Sequence, residues 1–159
     1  MARLSVPGPS TAQPTVRRMR LSDVADVAAI EARVFSTPWE ASTFQSLLER
    51  PSAELRVLDD AEAGVVGYAV VWCILDQGEV ANIALAPGHR GRGLGARLLD
   101  AMLGVARKRG VKSMYLEVRV SNDAARALYE RFGFHRVGTR QDYYEAPRED
   151  ALVMMKRLS

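Results

Sequence analysis

One cysteine, Cys73, occurs in 159 residues, so no disulfide can close within the chain. The only histidines, His89 and His135, stand far apart and read as loop or surface residues, so no Cys/His metal cluster is expected. A reducing cytoplasm is the expected home. No apolar run approaches the length of a membrane span. Residues 1–14 carry Pro7, Pro9 and Pro14 with Ser5, Ser10 and Thr11 and no apolar core of the kind a signal peptide needs. They are expected to be a disordered tail ahead of one domain at 15–159. Neither sign of charge dominates, with 22 Lys and Arg against 19 Asp and Glu. The net charge of +3 has no dense basic stripe behind it, so direct nucleic-acid binding is not expected.

What is present is a chain that is 48% hydrophobic, enough for one globular core. Thr15 to Met19 predicts a short strand. Ser22 predicts an N-cap, followed by a helix to about Phe35 on Val24, Val27, Ile30 and Val34. Pro38 breaks it, and a second short helix holds Phe44, Leu47 and Leu48 before Pro51. Leu55–Leu58, Val65–Leu75 and Glu79–Leu85 predict an antiparallel meander. The pattern then changes. Leu94 to Arg109 is apolar on one face and closed by Gly110, Met114–Val118 alternates, and Asn122–Phe132 is helical up to Gly133. Phe134–Tyr144 and Ala151–Met155 predict a closing hairpin. An α/β (α+β) domain follows, with a mixed, mostly antiparallel twisted sheet of about six to seven strands and helices on both faces.

The most informative stretch is Arg90-Gly91-Arg92-Gly93-Leu94-Gly95-Ala96, between an apolar strand and an amphipathic helix. Its glycines let backbone approach a ligand, and the first turn of the helix offers unpaired N–H groups and a positive dipole end. Arg90 and Arg92 add fixed charge. The ligand expected here carries a phosphate or pyrophosphate. Gly91-x-Gly93-x-x-Ala96 fits a dinucleotide fingerprint, with Glu117 as its ribose acid. Against that reading, Ala86–Arg90 separates strand from glycine, a meander precedes the motif, and only about forty residues follow Glu117. A Walker A loop is excluded by the missing Lys-Ser/Thr.

Arg90-x-x-Gly93-x-Gly95 also matches the (Q/R)-x-x-G-x-(G/A) pattern of the GNAT acetyltransferases. The run Asn82-Ile83-Ala84-Leu85-Ala86-Pro87 before it, and Leu116-Glu117-Val118-Arg119, Ser121-Asn122, Ala127-Leu128-Tyr129 and Gly133-Phe134 after it, resemble that family in order and spacing. With Phe35, Pro38-Trp39, Phe44 and Tyr143-Tyr144, the chain is similar to the RimI-type protein N-terminal acetyltransferases, over about residues 15–158. The resemblance implies a GNAT fold, splayed between the strand before the glycine loop and the strand carrying Glu117. It implies acetyl-coenzyme A as co-substrate. Ile83, Ala84, Leu85, Arg90, Gly91, Arg92, Gly93, Leu94, Gly95, Ala96 and Asn122 would hold that co-substrate. Phe35, Trp39, Tyr143 and Tyr144 would hold the acceptor, and no metal is involved. The implied acceptor is a protein N-terminus, an N-terminal alanine of a small-subunit ribosomal protein. A monomer or weak dimer, with no membrane partner, is expected.

Glu117 is the expected general base and Tyr129 the expected acid. A chain N-terminus has a pKa of about 7.7–8.0, so near pH 7.3 roughly a sixth to a quarter is already neutral, and a base need give only modest help. Tyr129 lies seven residues after Asn122, close to two helical turns, so both occupy one helix face. Asn122 can cap that helix and also bond the coenzyme. Asp142, Glu145, Glu149 and Asp150 surround the tyrosine pair and are expected to attract a basic peptide. Broader N-terminal specificity, a small-molecule amine acceptor and a non-catalytic acyl-coenzyme A sensor are the alternatives at this stage.

Overall fold

A computed structural model describes residues 13–158; the tail expected at residues 1–14 lies almost wholly outside them. Seven strands form one sheet in the order β1-β2-β3-β4-β5-β7-β6. They are β1 (Thr15–Arg18), β2 (Ala53–Asp60), β3 (Gly64–Ile74), β4 (Gln77–Leu85), β5 (Ser113–Arg119), β6 (His135–Glu145) and β7 (Arg148–Arg157). Only β4 and β5 pair in parallel. Helices α1 (Val24–Val34) and α2 (Ala41–Leu48) precede β2. Helix α3 (Leu94–Lys108) joins β4 to β5, and α4 (Asp123–Arg131) leads into β6.

The sheet carries two apolar layers. One gathers Val27, Ile30, Phe44 and Leu47 of α1 and α2 with Leu55, Val57, Tyr68 and Val70. The other gathers Leu94, Leu98, Leu99 and Met102 of α3 with Val80, Met114, Leu116, Val118 and Tyr129. The strict alternation of β5, with Met114, Leu116 and Val118 buried, turns Tyr115, Glu117 and Arg119 to the opposite face. Each buried leucine of α3 is worth about 1.5–3 kcal/mol, so the helix is held by its apolar stripe. The N-cap expected at Ser22 is not formed. Ser22 lies exposed inside a 3-10 turn, Leu21–Asp23. Asp23 stands at the N-cap position of α1 without a side-chain cap bond; its carboxylate instead accepts from the Arg20 N–H at 2.7 Å and from Arg17 in a fork at 2.8 and 2.9 Å. Arg17 holds the Asp23 carboxyl below the usual carboxylate range, ahead of the opposing effect of burial.

One irregularity positions the site. Val70 pairs with Asn82 but Val71 pairs with Val80, so Ala81 is an extra residue bulged out of β4. The last β4–β5 pair is Val80 with Leu116. Beyond the bulge β4 still pairs with β3 as far as Leu85, while β5 runs on to Arg119 beside β7. Between these two segments the sheet is open, as the splay expected between the glycine loop and Glu117 requires. No described helix is long and apolar enough to cross a membrane.

Candidate active site

The donor side is built from β4, the glycine loop and α3. From Asn82 to Leu85 the edge of β4 that faces β5 has no strand partner, so its N–H and C=O groups look into the opening. Ile83, Ala84 and Leu85 supply this edge. The loop that follows has Gly91 and Gly93 at φ +77° and +74°, the left-handed region that glycine adopts without strain. A Cβ at either residue would meet no protein atom within 4 Å, so the loop faces open space. Gly93 is the N-cap of α3 and no side chain caps it. The first helical bond is Arg97 N–H to the Gly93 carbonyl, 3.2 Å. The N–H groups of Leu94, Gly95 and Ala96 therefore remain for an anion, with Arg90 and Arg92 exposed on the same loop.

The acceptor side lies across the opening. Glu117 is half-buried, its side chain 15% exposed, and its Oε1 forms an ion pair with Arg140 Nε at 2.9 Å. The neighbouring Glu117 carboxylate, more than burial, pushes the Tyr143 hydroxyl up to about 12. A groove of about 600 Å³ runs from Glu117 along Tyr115, Glu79 and Trp72. Burial, then the charge of Glu117, raises the Glu79 carboxyl above the usual glutamate range. Tyr143 and Tyr144 meet edge to face at 5.1 Å between ring centres. Phe35 and Trp39 sit on the α1–α2 connection, both partly packed on the α1/α2 core, with Trp39 tilted against Phe44 at 5.5 Å.

Two arginines hold this side together, and the sequence reading assigned neither a part. Arg119 Nη1 donates to the Pro147 carbonyl at 2.9 Å and to Glu149 Oε1 at 3.3 Å, while its Nη2 donates to Ser36 Oγ at 3.3 Å. Its guanidinium also lies 4.2 Å from the centre of the Tyr144 ring. It thus ties the α1–α2 connection to the β6–β7 hairpin. Arg140 stacks 5.8 Å from the Tyr143 ring centre and steadies Glu117. The acidic cluster around the tyrosines divides. Glu149 is taken by Arg119 and by the Ser121 N–H at 2.8 Å, and Asp150 accepts from the Asp142 N–H at 2.8 Å. Asp142 and Glu145 are left pointing to solvent, so the attraction expected of Glu149 is spent inside the hairpin.

On the other face, Asn122 caps α4, its Oδ1 accepting from the Ala125 N–H at 3.1 Å. Tyr129 is 6% exposed and edge-on to Phe134 at 5.8 Å. Burial raises its hydroxyl well above the usual tyrosine value, so it stays protonated.

This geometry has known counterparts. The sequence pattern of the Acetyltransferase (GNAT) family matches residues 24–134. The chain belongs to the GNAT acetyltransferase family. A Bacillus subtilis relative, provisionally named ribosomal protein bS18-alanine N-acetyltransferase, is 39% identical over 140 residues, 87% of this chain and 92% of that protein. The Escherichia coli ribosomal protein bS18-alanine N-acetyltransferase is 33% identical over 147 residues, 91% of this chain and 98% of that one. The crystal structure of the Escherichia coli ribosomal-protein-S18-alanine N-acetyltransferase superposes with a TM-score of 0.84 at 34% identity, covering 92% of this chain and 94% of that one. This GNAT enzyme is therefore an N-acetyltransferase that takes its acetyl group from acetyl-CoA. The residues fit that donor: the unpaired β4 edge offers backbone partners to an amide-bearing arm, and the bare first turn of α3 offers donors to a pyrophosphate.

Proposed function

We propose that this enzyme acetylates the N-terminal α-amine of a protein, the N-terminal alanine of ribosomal protein bS18 being the best-supported acceptor. The observation that carries the reading is the position of Glu117. It lies at the end of an open groove on one face of the sheet, one pair beyond the last β4–β5 contact. A donor bound along β4 and an acceptor held between the α1–α2 connection and the β6–β7 hairpin meet at that opening. The bS18-directed names of the relatives that span nearly the whole chain support this acceptor. On this reading the enzyme works in the cytoplasm, where new ribosomal proteins present their N-termini, and every residue it needs comes from one chain.

Acetyl-CoA supplies an activated acetyl group as a thioester. The acceptor nitrogen bonds to the acetyl carbonyl carbon as the carbon–sulfur bond breaks, and no covalent enzyme species forms. Glu117, paired with Arg140, takes the proton that the amine loses, directly or through a water. Tyr129, held neutral by burial, gives its hydroxyl proton to the leaving sulfur. Ile83 to Leu85, the glycine loop from Arg90 to Ala96, and Asn122 hold the coenzyme. Phe35 and Trp39 on one side and Tyr143 and Tyr144 on the other hold the peptide.

A panel of acceptors tests the reading. Peptides starting with Ala, Ser, Met or Glu, a lysine peptide with a blocked N-terminus, and a polyamine are each incubated with acetyl-CoA. Transfer to the Ala and Ser peptides is expected. Transfer to the polyamine or the blocked lysine peptide alone overturns the proposal.

A further inference from the structure

One ionisable group is buried where none of the chemistry above uses it. Glu31, in α1, is 1% exposed. Removing a carboxylate from water is costly unless its oxygens are bonded, and here they are engaged from two neighbouring strands. The Tyr68 hydroxyl, on β3, donates to Oε1 at 2.7 Å. The Asn82 amide, on β4, donates to both oxygens, at 3.1 Å to Oε2. Glu31 lies in the last turn of α1, and its backbone carbonyl accepts from the N–H of Phe35, the first residue of the α1–α2 connection, at 3.0 Å.

These partners are not scattered. Asn82 immediately follows the bulged Ala81, at the point where β4 leaves β5 and its free edge begins. Phe35 begins the connection that Arg119, through Ser36, ties to the hairpin tyrosine Tyr144. A buried leucine of α1 would pack as well and hold nothing. A carboxylate sets the spacing between the acceptor connection and the donor strand through directed bonds.

We propose that Glu31 is a positioning residue for acetyl transfer: it fastens the end of α1, where the acceptor-holding connection begins at Phe35, to the donor-holding strand at Asn82, so that amine and thioester meet in register. The proposal rests on the reading above, in which Phe35 and Trp39 hold the peptide and β4 holds the coenzyme. It acts through placement, and Glu31 itself touches neither substrate.

The test uses the full-length enzyme at 25 °C with an Ala-starting peptide. Glu31→Gln keeps the size of the side chain but sets an amide N–H₂ against the Asn82 N–H₂. A misplacement near 1 Å costs up to about 10²-fold in rate, so kcat/KM for the peptide is expected to fall roughly ten- to a hundredfold, with the acetyl-CoA Kd changed less than about twofold. Met102→Ala, in the core behind α3, is expected to lower the melting temperature and leave peptide kcat/KM unaltered, which separates placement from stability. Should Glu31→Gln not fold, Asn82→Ser opens the same joint from the β4 side and carries the same expectation. A folded variant with peptide kcat/KM within about twofold of wild type, or with acetyl-CoA Kd moved as far as peptide kcat/KM, overturns the proposal. Glu117→Gln keeps the two readings apart. Its loss beside an active Glu31→Gln sinks this inference alone, while wild-type activity in Glu117→Gln sinks the reading beneath it.

Discussion

Replacing Glu117 by Gln separates two things a base can do here. The exchange keeps the shape of the side chain and removes its capacity to take a proton, together with the charge paired with Arg140. Suppose first that Glu117 merely strips the proton from a waiting ammonium. With an N-terminal pKa of about 7.7–8.0, roughly a sixth to a quarter of the peptide is already neutral at pH 7.3 and over nine-tenths at pH 9, so the whole deficit is about four- to sixfold and disappears on raising the pH. Suppose instead that Glu117 takes the proton while the carbon–nitrogen bond forms. The loss in kcat is then about 10²–10⁴-fold and persists at both pH values. The second outcome is expected, because Glu117 is held by its ion pair with Arg140 at the end of the groove, with its side chain 15% exposed. The assay is release of free coenzyme A thiol from acetyl-CoA with a saturating Ala-starting peptide at pH 7.3 and pH 9, beside calorimetry showing that acetyl-CoA still binds. A deficit under tenfold at pH 7.3 that vanishes at pH 9 refutes the assignment of Glu117 as the base in the bond-forming step.

Two further outcomes follow from the same geometry. Tyr129→Phe removes one oxygen from a buried ring that keeps its packing on Phe134, and kcat is expected to fall about 10²–10⁴-fold with little change in peptide KM. Because burial raises the hydroxyl's pKa, the wild-type kcat should show no descending limb below about pH 10, and a fall with an apparent pKa near 9 would exclude Tyr129 as the acid. Arg119→Ala cuts the links from β5 to Ser36, Pro147 and Glu149. Loosening both peptide-holding elements should raise peptide KM about tenfold and leave the acetyl-CoA Kd alone, as measured by initial rates and calorimetry. An unchanged peptide KM would mean that the α1–α2 connection and the hairpin hold their positions without Arg119.

The donor side was legible in the sequence because its chemistry is local. The glycines that reach positive φ, the bare first turn of α3 and the two loop arginines lie within seven consecutive residues. Periodicity likewise gave β5 its faces: the alternation that buries Met114, Leu116 and Val118 obliges Glu117 to look the other way. The Asn122 cap was readable for the same reason, since a cap needs only the next three residues. Ser22 failed as a cap on equally local terms: Asp23, one residue on, could also reach Arg17, and a two-pronged charged bond outweighs a hydroxyl contact.

The acceptor side is written in contacts that no sequence window contains. Arg119 reaches Ser36 across 83 positions, Asn82 reaches Glu31 across 51, and Arg140 reaches Glu117 across a strand pair interrupted by a register shift. In a linear reading these arginines and Glu31 are ordinary charged residues, because charge alone does not reveal a partner. Even the splay depends on one bulged alanine, Ala81, in a run that reads as a continuous apolar strand. The division has a physical root. A phosphate can be held by backbone and helix ends, which short motifs encode, whereas a peptide must be gripped by side chains from separate elements. Their agreement exists only after folding. The same division explains why a change at Arg119 or Glu31 is expected to act on the peptide and spare acetyl-CoA: the contacts proposed for the coenzyme lie on β4 and α3, whose backbone is fixed by pairing with β3 and by the α3 core independently of either residue.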